Sequence, residues 1–404
     1  MIVDRETRAA FTEALDLLAR KTLEDEKTLG VGFPYVTRPD GSWDTMYASR
    51  SAGYDGEAWS HGNWFCGFWV GLLLISHLHT GKAEALELAR ERMRMVADRS
   101  GDPNTHDIGF IFLSSALPAF HITGDETYAE IGLNAARQLR ARLVRTDRGA
   151  YVSSWGPHDD IRGRRSSAID TMANLPLLYW AAGQARDDSF LVAGELHAQA
   201  TERAFIRPDL STYHAVEYDL PSGERRRGYT FQGYGDESFW SRGQGWAVLG
   251  FAETARATGS LAYLALAHRL ADRFLEALGD ATAAPWDFDD PAGPDATLDT
   301  AASAIMANAL LQVADLEPDA ELAEERRSQA IGILRDLCRE HLSRDDAERG
   351  LLRHGCYSRP HNIGPDAAVL FGEYYFAEAL LMVLKPGALR ATPARLDPAG
   401  SATP

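Results

Sequence analysis

The chain has 404 residues, 45% of them hydrophobic, and a formal net charge of −17 at pH 7. That length is ample for a large core, and the negative field disfavours nucleic acid and anionic membrane surfaces as partners. Three cysteines, Cys66, Cys338 and Cys356, are odd in number and lack metal-ligand spacing, which argues against a disulfide framework.

Periodicity predicts about twelve helical segments. Residues 5–27 read as an amphipathic, charged helix. Residues 64–79 (WFCGFWVGLLLISHLH) are apolar all round, and 82–99 are charged on one face. Residues 108–123 are again apolar, and 126–143 amphipathic. The sixth segment, 166–180 (SSAIDTMANLPLLYW), is apolar on nearly every side, with Asp170 near its start. It is followed by amphipathic 189–205, mostly apolar 239–257 and amphipathic 261–278. Alanine-rich 300–316, heavily charged 319–341 and aromatic 367–384 complete the series. The region 211–229 alone looks strand-like, with a turn at Pro221-Ser222-Gly223.

Half-exposed helices therefore alternate with buried ones. This fits an all-α closed ring of six helical hairpins with the even helices inside. A solenoid also alternates, but it repeats at a fixed period, whereas the pair spacings here run irregularly from about 45 to about 70 residues. No Pro/Gly/Ser-rich linker interrupts the chain before about residue 386. One domain over 1–385 is expected, followed by a flexible Ala/Pro/Gly-rich tail over 386–404. The N-terminal residues MIVDRETRAAF lack a basic region followed by an apolar run, and the longest apolar run, 69–75, is too short to span a bilayer. A cytoplasmic protein without a membrane partner is expected, either monomer or dimer.

Polar residues gather where the even helices begin: Trp64, His106 with Asp107, Asp170, residues 236–244, Asp299 and Asp366. In a ring the inner helices run the same way, so their first turns meet around one cavity. Any one of these aspartates reads equally well as an N-cap. Several together raise one another's pKa, so that one holds a proton for general acid work. The opposing effect is the helix N-terminus, which favours the anion. Arg242, in SFWSRGQGW, is costly to bury without an anion; nearby Asp236 and Glu237 offer an internal pair. Trp64, Trp69, Trp155, Trp240 and Trp246 lie in or beside the same loops. Singly such a residue is core, but grouped they suit the flat faces of sugar rings. His214 and Gln232 bound the strand-like insertion and offer neutral hydrogen bonds. His158 with Asp159 and Asp160 lacks a companion ligand set, so no metal is expected. For Arg162, Arg164, Arg165 and residues 225–227, contact with a sulfate is one reading and solvated surface charge the default.

The segments NTHDIGF (104–110), AIDTMANLPLLYWA (168–181) and DESFWSRGQGWAVLGF (236–251) resemble glycoside hydrolase family 88, the unsaturated glucuronyl hydrolases. GFWVGLLL (67–74), residues 299–311, GLLRHGCYSRP and GEYYFAEAL extend the resemblance over about 60–384. It implies an (α/α)6 barrel, matching the helix pattern. It also implies removal of a 4,5-unsaturated uronic acid from the non-reducing end of lyase-generated oligosaccharides. On this resemblance Asp170 is the general acid/base and Asp107 the assisting carboxylate. His106, Trp155, His214, Gln232, Arg242 and Trp246 match substrate-cleft positions, and Trp64 joins them at the mouth of the second helix. Met172-Ala173, RGQGW and VLFGEYYF depart from the commoner family patterns, which leaves the neighbouring sugar and its sulfation open.

The implied chemistry is hydration of the C4=C5 enol ether, with no metal and no cofactor. The substrate carboxylate has two possible seats, Arg242 or first-turn N–H groups. Competing readings are an unsaturated rhamnogalacturonyl hydrolase, a polysaccharide lyase on a helical toroid, an amino-sugar isomerase and a non-catalytic sugar-binding protein.

Overall fold

A computed structural model describes residues 3–48 and 63–390. The helices are α1 (Arg5–Leu29), α2 (Cys66–Thr80), α3 (Ala83–Val96), α4 (Ile108–Leu113), α5 (Ala116–Thr123), α6 (Glu126–Ala141), α7 (Ile161–Arg165), α8 (Thr171–Asn174), α9 (Pro176–Ala185) and α10 (Ser189–Phe205). They continue with α11 (Ser241–Thr258), α12 (Leu261–Leu278), α13 (Thr300–Leu316), α14 (Ala320–Asp336) and α15 (Leu370–Leu384). The buried set forms a closed inner ring in which α2, α4, α8, α11, α13 and α15 each touch the next and α15 returns to α2. The amphipathic helices α1, α3, α6, α10, α12 and α14 pack outside. The architecture is an (α/α)6 barrel.

The pattern follows from the side chains. Every residue of α11 from Ser241 to Ala255 is buried, as is nearly all of α13, so neither helix has a face for water. Close approach inside the ring needs small residues. A Cβ on Gly67 would lie 2.0 Å from the Ile111 carbonyl oxygen, so glycine there lets α2 cross α4 closely.

Two inner helices are interrupted. The fourth predicted segment breaks at Ser114-Ser115, where both hydroxyls turn back to carbonyls of the preceding turn. The sixth breaks at Leu175 because Pro176 has no N–H to continue the ladder. Its first residues differ from expectation: Ser166–Ala168 is strand β5, and the helix starts at Thr171.

The strand content exceeds the sequence reading. The hairpins β1 (Gly32–Thr37)/β2 (Trp43–Tyr47) and β3 (Leu143–Thr146)/β4 (Gly149–Val152) carry strands of four to six residues, too short for periodicity to reveal. The predicted insertion is the hairpin β6 (Ala215–Tyr218)/β7 (Arg225–Tyr229), and β6 also pairs with β5. The predicted turn at 221–223 lies between β6 and β7. Residues 391–404 of the expected tail lie outside the described residues. Within 386–390, Leu389 is buried in the core and Arg390 bonds to Glu253 and Glu378.

Candidate active site

The sheet β5-β6-β7 delivers Asp170 to the end of the barrel. Ile169, between β5 and Asp170, donates its N–H to the His214 carbonyl at 2.9 Å, which fixes the chain just before the acid. Asn174, on the next turn, donates from Nδ2 to the Asp170 carbonyl at 2.9 Å and accepts the Phe110 N–H at 2.6 Å. Phe110 lies in the first turn of α4, directly after Asp107. One amide thus clamps the two helix starts that carry the acids. A Cβ on Gly109 would strike Asn174 Oδ1 at 2.4 Å, so glycine there permits the clamp.

Neither acid caps its helix. Asp107 and Asp170 occupy the residue before α4 and before α8 with helical backbone angles, and their side chains accept no helix N–H. Asp107 is buried and accepts from Thr105 Oγ1 at 3.0 Å. His106 donates from Nδ1 to the Ser154 carbonyl at 2.9 Å, which leaves Nε2 as the bare nitrogen, 3.2 Å from Asp107 Oδ1. Burial holds the His106 imidazole below its ordinary pKa, against the pull of Asp107. Ser154 in turn accepts the Ala168 N–H on its hydroxyl at 2.7 Å, joining this loop to β5.

Asp170 has a different environment. Its Oδ1 is buried with no hydrogen-bond partner. Burial, then the neighbouring Asp107 charge, push its pKa up to about 8, while Arg242 pulls the other way. The carboxyl therefore keeps its proton at neutral pH.

Both acids line one hollow of about 120 Å³ together with Trp64, His106, Trp155, Gln232, Arg242 and Trp246. Phe110, Phe231, Trp240 and Tyr357 complete the wall. Sequence reasoning had weighed Trp240 as an aromatic near the site but did not assign Phe110, Phe231 or Tyr357. Phe110 ends NTHDIGF and Tyr357 lies in GLLRHGCYSRP, while Phe231 lies outside both, and aromatic identity alone does not separate lining from core. Trp155 meets His106 and Phe231 edge-on at ring centroid distances of 5.8 and 4.9 Å. Trp64 donates its Nε1–H to the Tyr357 hydroxyl at 3.1 Å.

His214 is the expected cleft residue that does not line the hollow. It lies behind the wall, stacked on Trp240 at 4.1 Å and against Phe231 at 4.3 Å, with Nδ1 bonded to Thr230 Oγ1 at 2.9 Å. Burial and the Arg242 charge hold it neutral. Of the other expected acids, Asp366 is exposed and bonded to His354, and Asp236 accepts the Thr230 N–H. Asp299 both caps α13 and pairs with Arg242 at 2.6 Å. The Asp236 or Glu237 partner considered for Arg242 is not the one it takes. Its remaining donors reach the carbonyls of Cys356 and Tyr357, each at 2.6 Å, and Gln232 Oε1 at 3.2 Å.

The barrel holds a larger hollow of about 700 Å³, but its lining is mostly apolar and lacks both acids. Phe110 borders both spaces. Among the described residues, no group of three or more His, Cys, Asp or Glu side chains is placed to hold a metal ion.

No protein-family model matches the chain. It is 34% identical over 384 residues to the unsaturated glucuronyl hydrolase of Bacillus sp. strain GL1, covering 92% of this chain and 95% of the relative. It belongs to the unsaturated glucuronyl hydrolases. An unsaturated chondroitin disaccharide hydrolase of Streptococcus pneumoniae is 29% identical, over 80% of this chain and 82% of the relative. The crystal structure of the Bacillus unsaturated glucuronyl hydrolase, described as responsible for glycosaminoglycan degradation, superposes with a TM-score of 0.84 at 32% identity, covering 93% and 97% of the two chains. A family structure described as specific for heparin also gives 0.84, at 25% identity, covering 95% of this chain and all of that one. As a member of this family the chain is a glycoside hydrolase on an (α/α)6 barrel. Among the described residues no helix of this hydrolase is long and apolar enough to cross a membrane.

Proposed function

We propose that this hydrolase removes a 4,5-unsaturated uronic acid from the non-reducing end of an oligosaccharide by hydrating its C4=C5 enol ether, with Asp170 as general acid/base. The observation that carries the reading is that two acids line one small hollow. Asp170 is pushed up to about 8 and keeps its proton, and Asp107 lies beside it.

Protonated Asp170 delivers its proton to C4. The π electrons form the new C4–H bond, and positive charge develops at C5, shared with the ring oxygen. The Asp170 carboxylate then takes a proton from water as the water oxygen bonds to C5, which restores the acid. The C5 hemiketal opens to a ketone, and the hemiacetal left at C1 expels the neighbouring sugar. The anomeric carbon is never attacked, so the carboxylate pair does not play the roles it has in ordinary glycosidases.

Asp107 receives substrate hydroxyls, and its charge adds to the burial that holds the proton on Asp170. His106 Nε2 accepts a hydroxyl hydrogen. Trp155, Trp64 and Trp246 form the apolar wall for the ring. Arg242 is already neutralised by Asp299, so its work is to hold Gln232 and the Tyr357 backbone in place rather than to attract the substrate carboxylate through net charge. His214 supports Trp240 and Phe231 from behind. Residues 1–385 act as one catalytic domain, onto which Leu389 and Arg390 also pack. Three free, buried cysteines suit a reducing cytoplasm.

The test is a panel of lyase-generated unsaturated disaccharides followed by ultraviolet absorbance and sugar release. Loss of the double-bond absorbance with release of the neighbouring sugar is expected. A lyase would raise the absorbance, and a binding protein would leave both unchanged.

A further inference from the structure

A second polar hollow, of about 320 Å³, opens between the β3–β4 hairpin, α10 and the turn joining β6 to β7. It shares no lining residue with the hollow that holds the two acids. Two tyrosines, Tyr151 and Tyr218, stack at 3.9 Å at its floor, and each is at most 2% exposed. Ala150, Ala200 and Ala204 leave the space open.

Three guanidinium groups surround this space: Arg148, Arg203 and Arg225. Arg148 pairs with Glu224. Arg203 and Arg225 pair with no acid among the described residues. They are held instead by backbone carbonyls, Arg203 by that of Arg148 at 3.0 Å and Arg225 by that of Ala204 at 2.8 Å. Arg225 also lies over the Tyr213 ring at 4.6 Å. The lining thus carries three exposed arginines and one glutamate, on a chain of net −17.

Solvated arginines need nothing beneath them, but this group has something beneath it. The Tyr218 hydroxyl is buried and has no hydrogen-bond partner. Buried hydroxyls in native structures nearly always have one. The charges of Arg203 and Arg225 both act on that hydroxyl, so the unused donor and the two acid-free guanidiniums belong to one cluster.

We propose that this hollow is a second ligand site, separate from catalysis, that binds a tetrahedral oxyanion, either free sulfate or phosphate or the same group carried as an ester on a sugar. Arg203 and Arg225 present forked donors that match such a group, and the Tyr218 hydroxyl donates from the floor. Their backbone tethers reduce the ordering cost of binding.

The test is titration calorimetry of the full chain at low salt with two probes, sodium sulfate and glucose 6-sulfate. Binding of at least one probe is expected. It should weaken at least tenfold in the double variant Arg203→Ala/Arg225→Ala and several-fold in Tyr218→Phe, which keeps the ring stack. Hydration of an unsaturated disaccharide should be unchanged in both variants. Equal affinity for the two probes assigns the site to the anion alone, and a preference for the ester adds contacts to the sugar; either result supports the site. Binding of neither probe at tens of millimolar overturns the proposal. So does binding that survives both sets of substitutions, since it would then lie elsewhere. If the double variant fails to fold, Tyr218→Phe decides.

Discussion

Arg242 closes on Asp299, 57 residues away in sequence, at 2.6 Å, although two acids stand within six residues of it. The pair is buried on both sides, and the same guanidinium carries the carbonyls of Cys356 and Tyr357. It therefore fastens α11, the start of α13 and the 356–357 loop to one point at the wall of the catalytic hollow.

Breaking that fastening should cost stability first. Asp299→Ala leaves a buried cation unpaired, a loss of about 3–5 kcal/mol. Thermal or denaturant unfolding measures it. Arg242→Ala should cost a similar amount, and the double variant should cost less than the sum of the two, because neither charge is then stranded.

Asp170→Asn should reduce turnover by about 10²–10⁴-fold, the range for a general acid/base, with the fold retained. Disaccharide hydration reads the rate, and circular dichroism reads the fold. Wild-type turnover in this variant would remove Asp170 from the mechanism.

The wild-type rate should fall as pH rises through about 8, because the reacting form of Asp170 is the protonated one and its pKa lies there. The same shift has a stability consequence. The folded state holds this proton between the ordinary value of 3.8 and about 8, while the unfolded chain has lost it. The contribution of this carboxyl to stability therefore declines as pH rises across that window. Asp170→Asn lacks the ionisation, so its melting temperature relative to wild type should rise from pH 4 to pH 8 and then level off.

Asn174→Ala should act on catalysis without touching the substrate. It strands the buried Phe110 N–H and releases the Asp170 carbonyl, for about 1–3 kcal/mol of stability. We expect kcat to fall more than KM rises, since the displaced groups are the two acids. Steady-state kinetics separates the two parameters.

Trp155→Ala should show the opposite split. The indole borders the hollow and meets His106 and Phe231 edge-on. Loss of one aromatic face costs about 1 kcal/mol, so KM should rise several-fold with kcat little changed.

The order and burial of the helices were legible in the sequence, because α2, α11, α13 and α15 have no polar face and α1, α6, α12 and α14 do. A periodic pattern over ten or more residues fixes which face is buried, so the alternation could be read directly, although the segments 108–123 and 166–180 are each interrupted. The short hairpins β1/β2 and β3/β4 could not, since four to six residues carry too little pattern. Asp107, Asp170, Arg242 and the tryptophans were identifiable as unusual residues at the mouths of apolar helices. Their roles were not separable there. Whether an aspartate before a helix caps it depends on where its oxygens point, and Asp299 caps while Asp107 and Asp170 do not. His214 matched a cleft motif, yet it sits behind Trp240, because a motif records neighbours along the chain and not which of them faces the hollow. The proton on Asp170, the Arg242–Asp299 pair and the Asn174 clamp exist only once residues far apart in the chain are brought together. Burial and Coulomb interaction depend on distance in space, and closure of the barrel sets that distance.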